Sequence, residues 1–143
     1  VKTSYITRRE TFNAAHKLCR EDWSDEKNMK VYGKCSSKNW HGHNFTIFVT
    51  VKGIPNPENG LIIHLTDLSN VIKEKVIEPL DHKNLNLDVD FLNGIMPSIE
   101  NLITEIWKQI DKPIVELGGK LVKIKLVETN NNFVEYYGGF EPY

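Results

Sequence analysis

A regular alternation of side chains runs through His41-Gly42-His43-Asn44-Phe45-Thr46-Ile47-Phe48-Val49-Thr50-Val51-Lys52. One parity holds both histidines and four large apolar residues: His41, His43, Phe45, Ile47, Val49 and Val51. The other parity includes Thr46, Phe48 and Thr50. Because successive side chains of a β-strand point to opposite faces, this stretch predicts a strand with both imidazoles on one side.

The chain before this strand divides into two parts. Tyr5 to His16 is rich in Thr, Phe and small residues, which favours another strand. Residues 17–40 are polar and charged, and we expect a long loop there with one short helical turn. A loop of that length in a compact domain is more often functional than accidental. Arg8-Arg9-Glu10-Thr11 fits a charged strand edge, with recognition of Thr11 by a basophilic kinase as the alternative.

Two amphipathic helices are predicted in the middle of the chain. In the first, apolar residues recur at helical spacing: Leu68, Val71, Ile72, Val76 and Leu80. We expect Thr66 or Asp67 to cap this helix and Pro79 to mark its end. His64, just before it, has no acidic partner and is interpreted as structural.

The second helix has a longer apolar stripe: Ile99, Leu102, Ile103, Ile106, Trp107 and Ile110. We expect Ser98 to open it, and Asp111 with Pro113 to stop it. Two more strands, Leu121 to Val127 and Phe133 to Tyr137, are predicted around the hairpin signal Asn130-Asn131-Asn132.

The order strand, strand, helix, helix, strand, strand predicts an α+β fold. We expect one domain over residues 1–143, built as a four-stranded antiparallel sheet with two helices on one face. Such a sheet has exposed edges, and pairing them between subunits satisfies their backbone groups. The pattern therefore favours an oligomer.

The bulk composition narrows the class of protein. Of the 143 residues, 40% are hydrophobic and 26% are charged, which suits one soluble globular domain. The net charge of -1 gives no basic excess for nucleic acid or an anionic membrane. No apolar run approaches the roughly 20 residues of a membrane span, and no leader pattern opens the chain. With only two cysteines, Cys19 and Cys35, we expect free thiols and a cytoplasmic location.

His41-Gly42-His43 is the sharpest local feature. Its two imidazoles face one side of the strand and can chelate one metal ion, and Gly42 leaves room for a close approach. A catalytic zinc usually takes three protein ligands and keeps a fourth position open. If the first two strands pair, His16 reaches the same ion. The alternative is that the histidines are polar residues on a solvated strand face.

Three further positions carry reactive groups, but the sequence around them is less specific than His41-Gly42-His43. Cys35, in the polar Gly33-Lys34-Cys35-Ser36-Ser37 run, can be a ligand, a nucleophile or a base, or a small buried residue. Asp81-His82 can be an oriented acid–base pair, or a helix end with a histidine near the negative pole of its dipole. Glu128 can hold a guanidine-like ligand edge, or be an exposed strand end.

Taken in order, five segments resemble the 6-pyruvoyl-tetrahydropterin synthase family and span nearly the whole chain. They are Phe12-Asn13-Ala14-Ala15-His16, Gly33-Lys34-Cys35, His41-Gly42-His43-Asn44, Pro79-Leu80-Asp81-His82-Lys83-Asn84-Leu85 and Val127-Glu128-Thr129. The resemblance implies the tunnelling fold, in which three subunits close their sheets into a barrel and two trimers stack into a homohexamer. It also implies active sites at subunit interfaces.

The resemblance also implies ligands and roles for individual residues. The zinc ligands, one ion per subunit, would be His16, His41 and His43. Cys35 would be the base that takes a proton.

The same resemblance assigns the remaining candidates. Asp81 and His82 would form a proton relay that reaches the site from a neighbouring subunit. Glu128 would anchor the guanidine-like edge of the pterin and join the relay. Ser98 and Glu100 would line the pterin pocket.

The reaction implied by the resemblance belongs to tetrahydrobiopterin biosynthesis. It converts 7,8-dihydroneopterin triphosphate to 6-pyruvoyl-tetrahydropterin and releases triphosphate, with Mg²⁺ required alongside the substrate. The alternatives are the sister 6-carboxy-tetrahydropterin synthase and a non-catalytic, metal-containing pterin-binding oligomer. Five residues separate Cys35 from His41, which is similar to the pyruvoyl enzyme, whereas the carboxy enzyme has three.

The chain departs from the family pattern at two positions. Trp40 stands where the family commonly has a glycine before the first histidine of His-Gly-His. Ser98 and Ile99 stand where it often has two threonines, so we expect one pterin contact to fall to the backbone.

Overall fold

The structure, a computed structural model, describes residues 2–139 and is built around one long antiparallel pair of strands. These are β1 (Ser4–His16) and β2 (His41–Gly53), which pair over their full lengths from Ser4↔Gly53 to His16↔His41. β4 (Lys120–Thr129) pairs with β2, and β5 (Asn132–Tyr136) pairs with β4, both antiparallel. All four predicted strands are confirmed.

The sheet has a fifth strand, so the prediction of a purely antiparallel four-stranded sheet is corrected to a five-stranded mixed one. β3 (Lys83–Asn84) pairs parallel with β1, giving the order β3-β1-β2-β4-β5. Two backbone bonds flank this short strand: His82 N–H donates to the Asn13 carbonyl at 2.6 Å, and Leu85 N–H donates to the Ala15 carbonyl at 2.8 Å. Two residues are too few to give an alternating pattern, which is why the sequence does not reveal this strand.

Two helical regions pack on the same face of the sheet, as predicted. The first is α2 (Leu65–Ile72), which continues through a π-helical turn at Lys73–Ile77 into the short α3 (Glu78–Leu80), and the second is α4 (Ile99–Glu116). Their apolar stripes and one parity of the strands form the core, which includes Phe45, Ile47, Leu68, Ile72, Leu102 and Ile106, all fully buried. No helix within residues 2–139 has the length and apolarity to cross a bilayer.

The helix ends correct two details of the sequence prediction. Neither Thr66 nor Asp67 caps α2, because the helix already begins at Leu65 with His64 in the cap position. α4 does begin after Ser98, whose hydroxyl accepts the Asn101 N–H at 3.2 Å. It does not stop at Pro113, because the fully buried Ile114 holds one more turn of helix against the core.

The predicted loop of residues 17–40 contains more helix than expected. α1 (Asp25–Tyr32) is an eight-residue helix, followed by a 3₁₀ turn at Gly33–Ser36. The Ser24 hydroxyl caps α1 by accepting the Lys27 N–H at 3.1 Å. Gly33, with φ of 60°, ends it in a left-handed conformation that glycine adopts without strain.

Candidate metal centre

Three histidines converge at one end of the central strand pair. The β1–β2 register sets His16 opposite His41, while His43 lies two residues further along β2 and faces the same side. The three side chains offer one ligating nitrogen each, all within 4.8 Å of one another. Since they continue the buried parity of Phe12 and Phe45, the cluster closes the end of the core.

The hydrogen bonds of these imidazoles leave nitrogens free to bind a cation. Nδ1 of His16 lies 2.8 Å from the Pro97 carbonyl, which only accepts, so Nδ1 carries the proton and Nε2 keeps its lone pair. His16 Nε2, His43 Nε2 and both ring nitrogens of His41 are buried with no hydrogen-bond partner within residues 2–139. Buried polar atoms normally have partners. Three imidazoles with convergent free nitrogens fit a divalent metal such as zinc.

The protonation of the cluster also suits metal binding. Burial lowers the pKa of His16, the more so with His43 nearby, although the bond to Pro97 and the Glu128 carboxylate act the other way. Burial also lowers the pKa of His41 and of His43, with a smaller contribution from a neighbouring imidazole in each case. All three rings are therefore neutral at pH 7, which is the form that binds a metal ion.

Glu128, near the end of β4, brings a carboxylate to the same place. One oxygen lies 3.8 Å from Nε2 of His16, and the other lies 3.8 Å from Nε2 of His43. Burial raises the pKa of this carboxyl, the electrostatic interaction with the nearby His16 ring lowers it, and the carboxylate of Glu100 raises it again. Glu128, Glu100 and His16 line a cavity of about 390 Å³, referred to below as the acidic cavity.

Cys35 lines the same cavity from the 3₁₀ turn after α1. Its carbonyl accepts the Leu18 N–H at 2.7 Å, which ties the turn to the segment following β1. Burial raises the pKa of the Cys35 thiol, and the charge on Glu128 raises it further. Cys35 and Cys19 are both free, as expected from the low cysteine content.

The other predicted pocket residues divide between the cavity and the helix start. Glu100 and Ile99, in the first turn of α4, line the acidic cavity. Ser98 is not among its lining residues in the described part of the chain, because its hydroxyl caps α4.

Asp81 and His82 form a pair outside the acidic cavity of a single chain. Nδ1 of His82 lies 2.9 Å from one Asp81 oxygen, and the other oxygen accepts the Asn13 N–H at 2.8 Å. These bonds, Asn13 first, lower the pKa of Asp81. His82 is 82% exposed and has a φ of 60°, a left-handed backbone that is uncommon outside glycine. Asp81 is thus oriented by two hydrogen bonds, and the imidazole of His82 is exposed on the surface of its own chain.

A model of the 6-pyruvoyl tetrahydropterin synthase family matches residues 5–139. The chain belongs to this family. It is 41% identical to 6-pyruvoyl tetrahydrobiopterin synthase of Homo sapiens, over 93% of the chain and 90% of that protein. It is 42% identical to the enzyme of the same name from Dictyostelium discoideum, over 96% and 98%. The structure of Caenorhabditis elegans 6-pyruvoyl tetrahydropterin synthase superposes with a TM-score of 0.88 at 30% identity, covering 96% of this chain and 97% of that one.

Trp40 stands out against the pattern of the 6-pyruvoyl tetrahydropterin synthase family. Its φ is 59°, so the position where the family commonly has glycine keeps a left-handed backbone in this chain. An L-residue there costs about 1–2 kcal/mol relative to glycine. The ammonium of Lys17 lies 4.4 Å from the centre of the indole ring, a cation–π contact that offsets part of this cost.

Several residues around the site carry no signal in the sequence that marks them as part of it. The Pro97 carbonyl carries no side-chain signal, so only the fold reveals it as the partner of His16. Leu18 and the hairpin residues Asn131, Asn132 and Phe133 line the acidic cavity. The hairpin itself is predicted from its asparagines, but its position over the cavity depends on the pairing of β4 with β2.

Proposed function

We propose that this chain is a zinc-dependent lyase that converts 7,8-dihydroneopterin triphosphate to 6-pyruvoyl-tetrahydropterin and releases triphosphate, a step of tetrahydrobiopterin biosynthesis. Its membership of the synthase family supports the reaction class. The observation that carries the proposal is the convergence of three neutral imidazoles beside a cavity that also holds a thiol and two carboxylates.

The acidic cavity suits the pterin ring. The guanidine-like edge of a pterin presents adjacent N–H donors, and a carboxylate accepts two of them at once. Glu128 is largely buried there and Glu100 lies in the same lining, so Glu128 is the proposed anchor and Glu100 a second acceptor. Ser98 stays a proposed pocket residue, and its hydroxyl fixes the start of α4.

The proposed proton transfers use the side chains of Cys35, Asp81 and His82. A Zn²⁺ ion held by His16, His41 and His43 would supply Lewis-acid polarisation of the substrate's side-chain hydroxyls and a positive charge that favours the Cys35 thiolate. The thiolate takes a carbon-bound proton from the side chain of the substrate. His82, oriented by Asp81, returns a proton, so hydrogens are rearranged within the substrate and no external reductant is consumed.

Assembly is part of the proposal. Asp81 and His82 lie outside the acidic cavity of their own chain and are proposed to serve the site of a neighbouring subunit in a homohexamer. Mg²⁺ is proposed to accompany the triphosphate. The cytoplasmic location and the single domain over residues 1–143 stay predictions.

The first experiment measures zinc content together with triphosphate release, and identifies the product by mass. The proposal expects about one zinc per chain and a pyruvoyl product. Cys35→Ala is expected to lower turnover by about 100-fold or more, since general-base catalysis typically contributes that much. The zinc content and oligomer size of the variant are expected to stay unchanged.

Each other outcome points to a different protein. A carboxy product would move the chain to the sister synthase with the same metal site. Bound zinc without any triphosphate release would favour the non-catalytic pterin-binding oligomer. Full turnover in Cys35→Ala would remove Cys35 from the role of base.

A further inference from the structure

A second, larger cavity of about 860 Å³ lies beside the histidine cluster. Its lining includes His41, whose ring centroid is 4.5 Å from that of His16 in the acidic cavity. One wall is α1, with Asn28 and Met29, and another is the segment around Trp40. The two cavities therefore meet at the metal ligands, and this one is called the basic cavity below.

Four cations line the basic cavity: Lys17, Arg20, Lys34 and Lys38. Among residues 2–139, Asp25 is the single carboxylate of the lining, so the formal charge is +3 (four cations less one anion), and +2 once Arg20 pairs with Asp22 outside the lining. Both oxygens of Asp22 bind the Arg20 guanidinium, at 2.8 and 2.7 Å, which neutralises that residue. The three lysines, in contrast, have no ion-pair partner within residues 2–139. Uncompensated like charges around one concavity attract an anion.

The lining also offers an uncharged donor. The indole N–H of Trp40 is buried and has no acceptor in the described part of the chain. Its ring lies under the Lys17 ammonium, so donor and cation are held close together. A buried donor without an acceptor is unusual and fits a ligand with many acceptor oxygens.

We propose that the basic cavity binds the triphosphate group of the substrate, with the ammonium groups of Lys17, Lys34 and Lys38 as its main contacts. The inference rests on the proposed function, which supplies a substrate with a near-neutral ring and a polyanionic tail. Charge separates the two ends: Glu100 and Glu128 make the acidic cavity repel phosphate, while the basic cavity attracts it. The side chain that joins ring and triphosphate then crosses the histidine cluster, where the bond to the leaving group breaks.

The test is the binding of inorganic triphosphate, measured by calorimetry on the full chain. Lys34 and Lys38 are exposed, so Lys34→Gln combined with Lys38→Gln removes two charges without disturbing the core. The double variant is expected to bind triphosphate about tenfold more weakly or worse, and wild-type binding is expected to weaken with added salt. Lys112→Gln, an exposed lysine of α4, is the matched control and is expected to bind like the wild type.

Because triphosphate also binds divalent metals, the comparison is run on zinc-loaded and on metal-free protein, with the same loss expected in both. Equal affinity for triphosphate in the double variant, the control and the wild type would overturn the inference. Binding of 7,8-dihydroneopterin, which lacks phosphate, is expected to be unchanged.

The outcome is separable from that of the proposed function. If the wild type turns over the pterin triphosphate but the double variant binds triphosphate as tightly as the wild type, the function is retained and this site is rejected. Lysine-dependent binding without turnover would retain the site and reject the function.

Discussion

His41 has two buried ring nitrogens without a hydrogen-bond partner. His16 lies opposite it on β1, and His43 lies two residues further along β2. Replacing His41 with alanine leaves two imidazoles, fewer than the three protein ligands of a catalytic zinc site. We expect His41→Ala to lose zinc affinity by at least about 100-fold, since disturbing an outer-shell partner alone costs 10–100-fold. Metal analysis after dialysis measures this.

The matched control for that prediction is His64→Ala. His64 is exposed, precedes α2 and makes no side-chain capping bond, so its removal is expected to leave the zinc content at the wild-type level. Unchanged zinc in both variants would rule out the three-histidine site.

The histidine cluster was largely predictable from the sequence, but the contacts that orient it were not. His41 and His43 follow from strand parity, and His16 follows from the pairing of the first two strands. The Pro97 carbonyl, which fixes the tautomer of His16, was not predictable because any residue carries a carbonyl. The sequence also left two interpretations open for Asp81-His82. The structure shows that the two side chains contact each other, with Nδ1 of His82 2.9 Å from an Asp81 oxygen.

Asp81 gives a prediction for stability against pH. The Asn13 N–H and His82 lower its pKa in the folded protein below the ordinary 3.8. A carboxyl with a depressed folded pKa stabilises the fold above its unfolded pKa, and this contribution is lost as the pH falls through the folded value. We expect the wild type to be more stable than Asp81→Asn at pH 6, with the difference shrinking as the pH falls through the lowered pKa of Asp81.

Denaturant unfolding at several pH values measures that difference. Asparagine keeps an acceptor for the Asn13 N–H, while the substitution removes the charge together with the oxygen that pairs with Nδ1 of His82. Because Asp81 is 36% exposed, solvent screening keeps the effect modest. A stability difference that persists unchanged to low pH would show that the charge is not its source.

At the scale of elements, α1 is a helix that the sequence pattern does not predict in full. Its two large apolar residues, Met29 and Val31, are more than half exposed, while its one buried residue is Asn28. Hydrophobic periodicity therefore gives no signal. The usable signals were at its ends: Ser24 before two acidic residues, and Gly33 just beyond the last turn.

α4 shows the opposite case, in which the core decides. Ile106 is fully buried between this helix and the sheet. Ile106→Ala removes buried methyl groups and leaves a cavity, so we expect a loss of about 2–5 kcal/mol in the free energy of unfolding. Val115, on the same helix, is 57% exposed, and Val115→Ala is expected to change stability by less than about 0.5 kcal/mol.

Denaturant unfolding of both variants measures these values. A small effect of Ile106→Ala would mean that the helix is held less by its apolar stripe than its burial indicates. The same stripe explains why α4 was predictable from sequence, and why Pro113 did not end it: burial of Ile114 outweighs the lost backbone bond.

At the scale of the whole molecule, one chain holds the proposed base and the proposed relay in separate places. Cys35 lines the acidic cavity, whereas His82 is 82% exposed on its own chain. A left-handed backbone at His82 is a local strain that is often found at functional sites. Sequence patterns could suggest an oligomer from exposed sheet edges, but they could not show that Cys35 and His82 lie apart on one chain.

This division predicts complementation between inactive variants. If each site takes Cys35 from one subunit and His82 from its neighbour, mixing Cys35→Ala with His82→Asn restores some sites, because random assembly pairs two intact contributions in about a quarter of them. Asparagine is chosen since it tolerates the left-handed backbone. The activity of refolded equal mixtures measures this, and each variant refolded alone is the control. A mixture as inactive as its components would place both residues in a site formed by one subunit, and the exposure of His82 would then require a rearrangement within the chain.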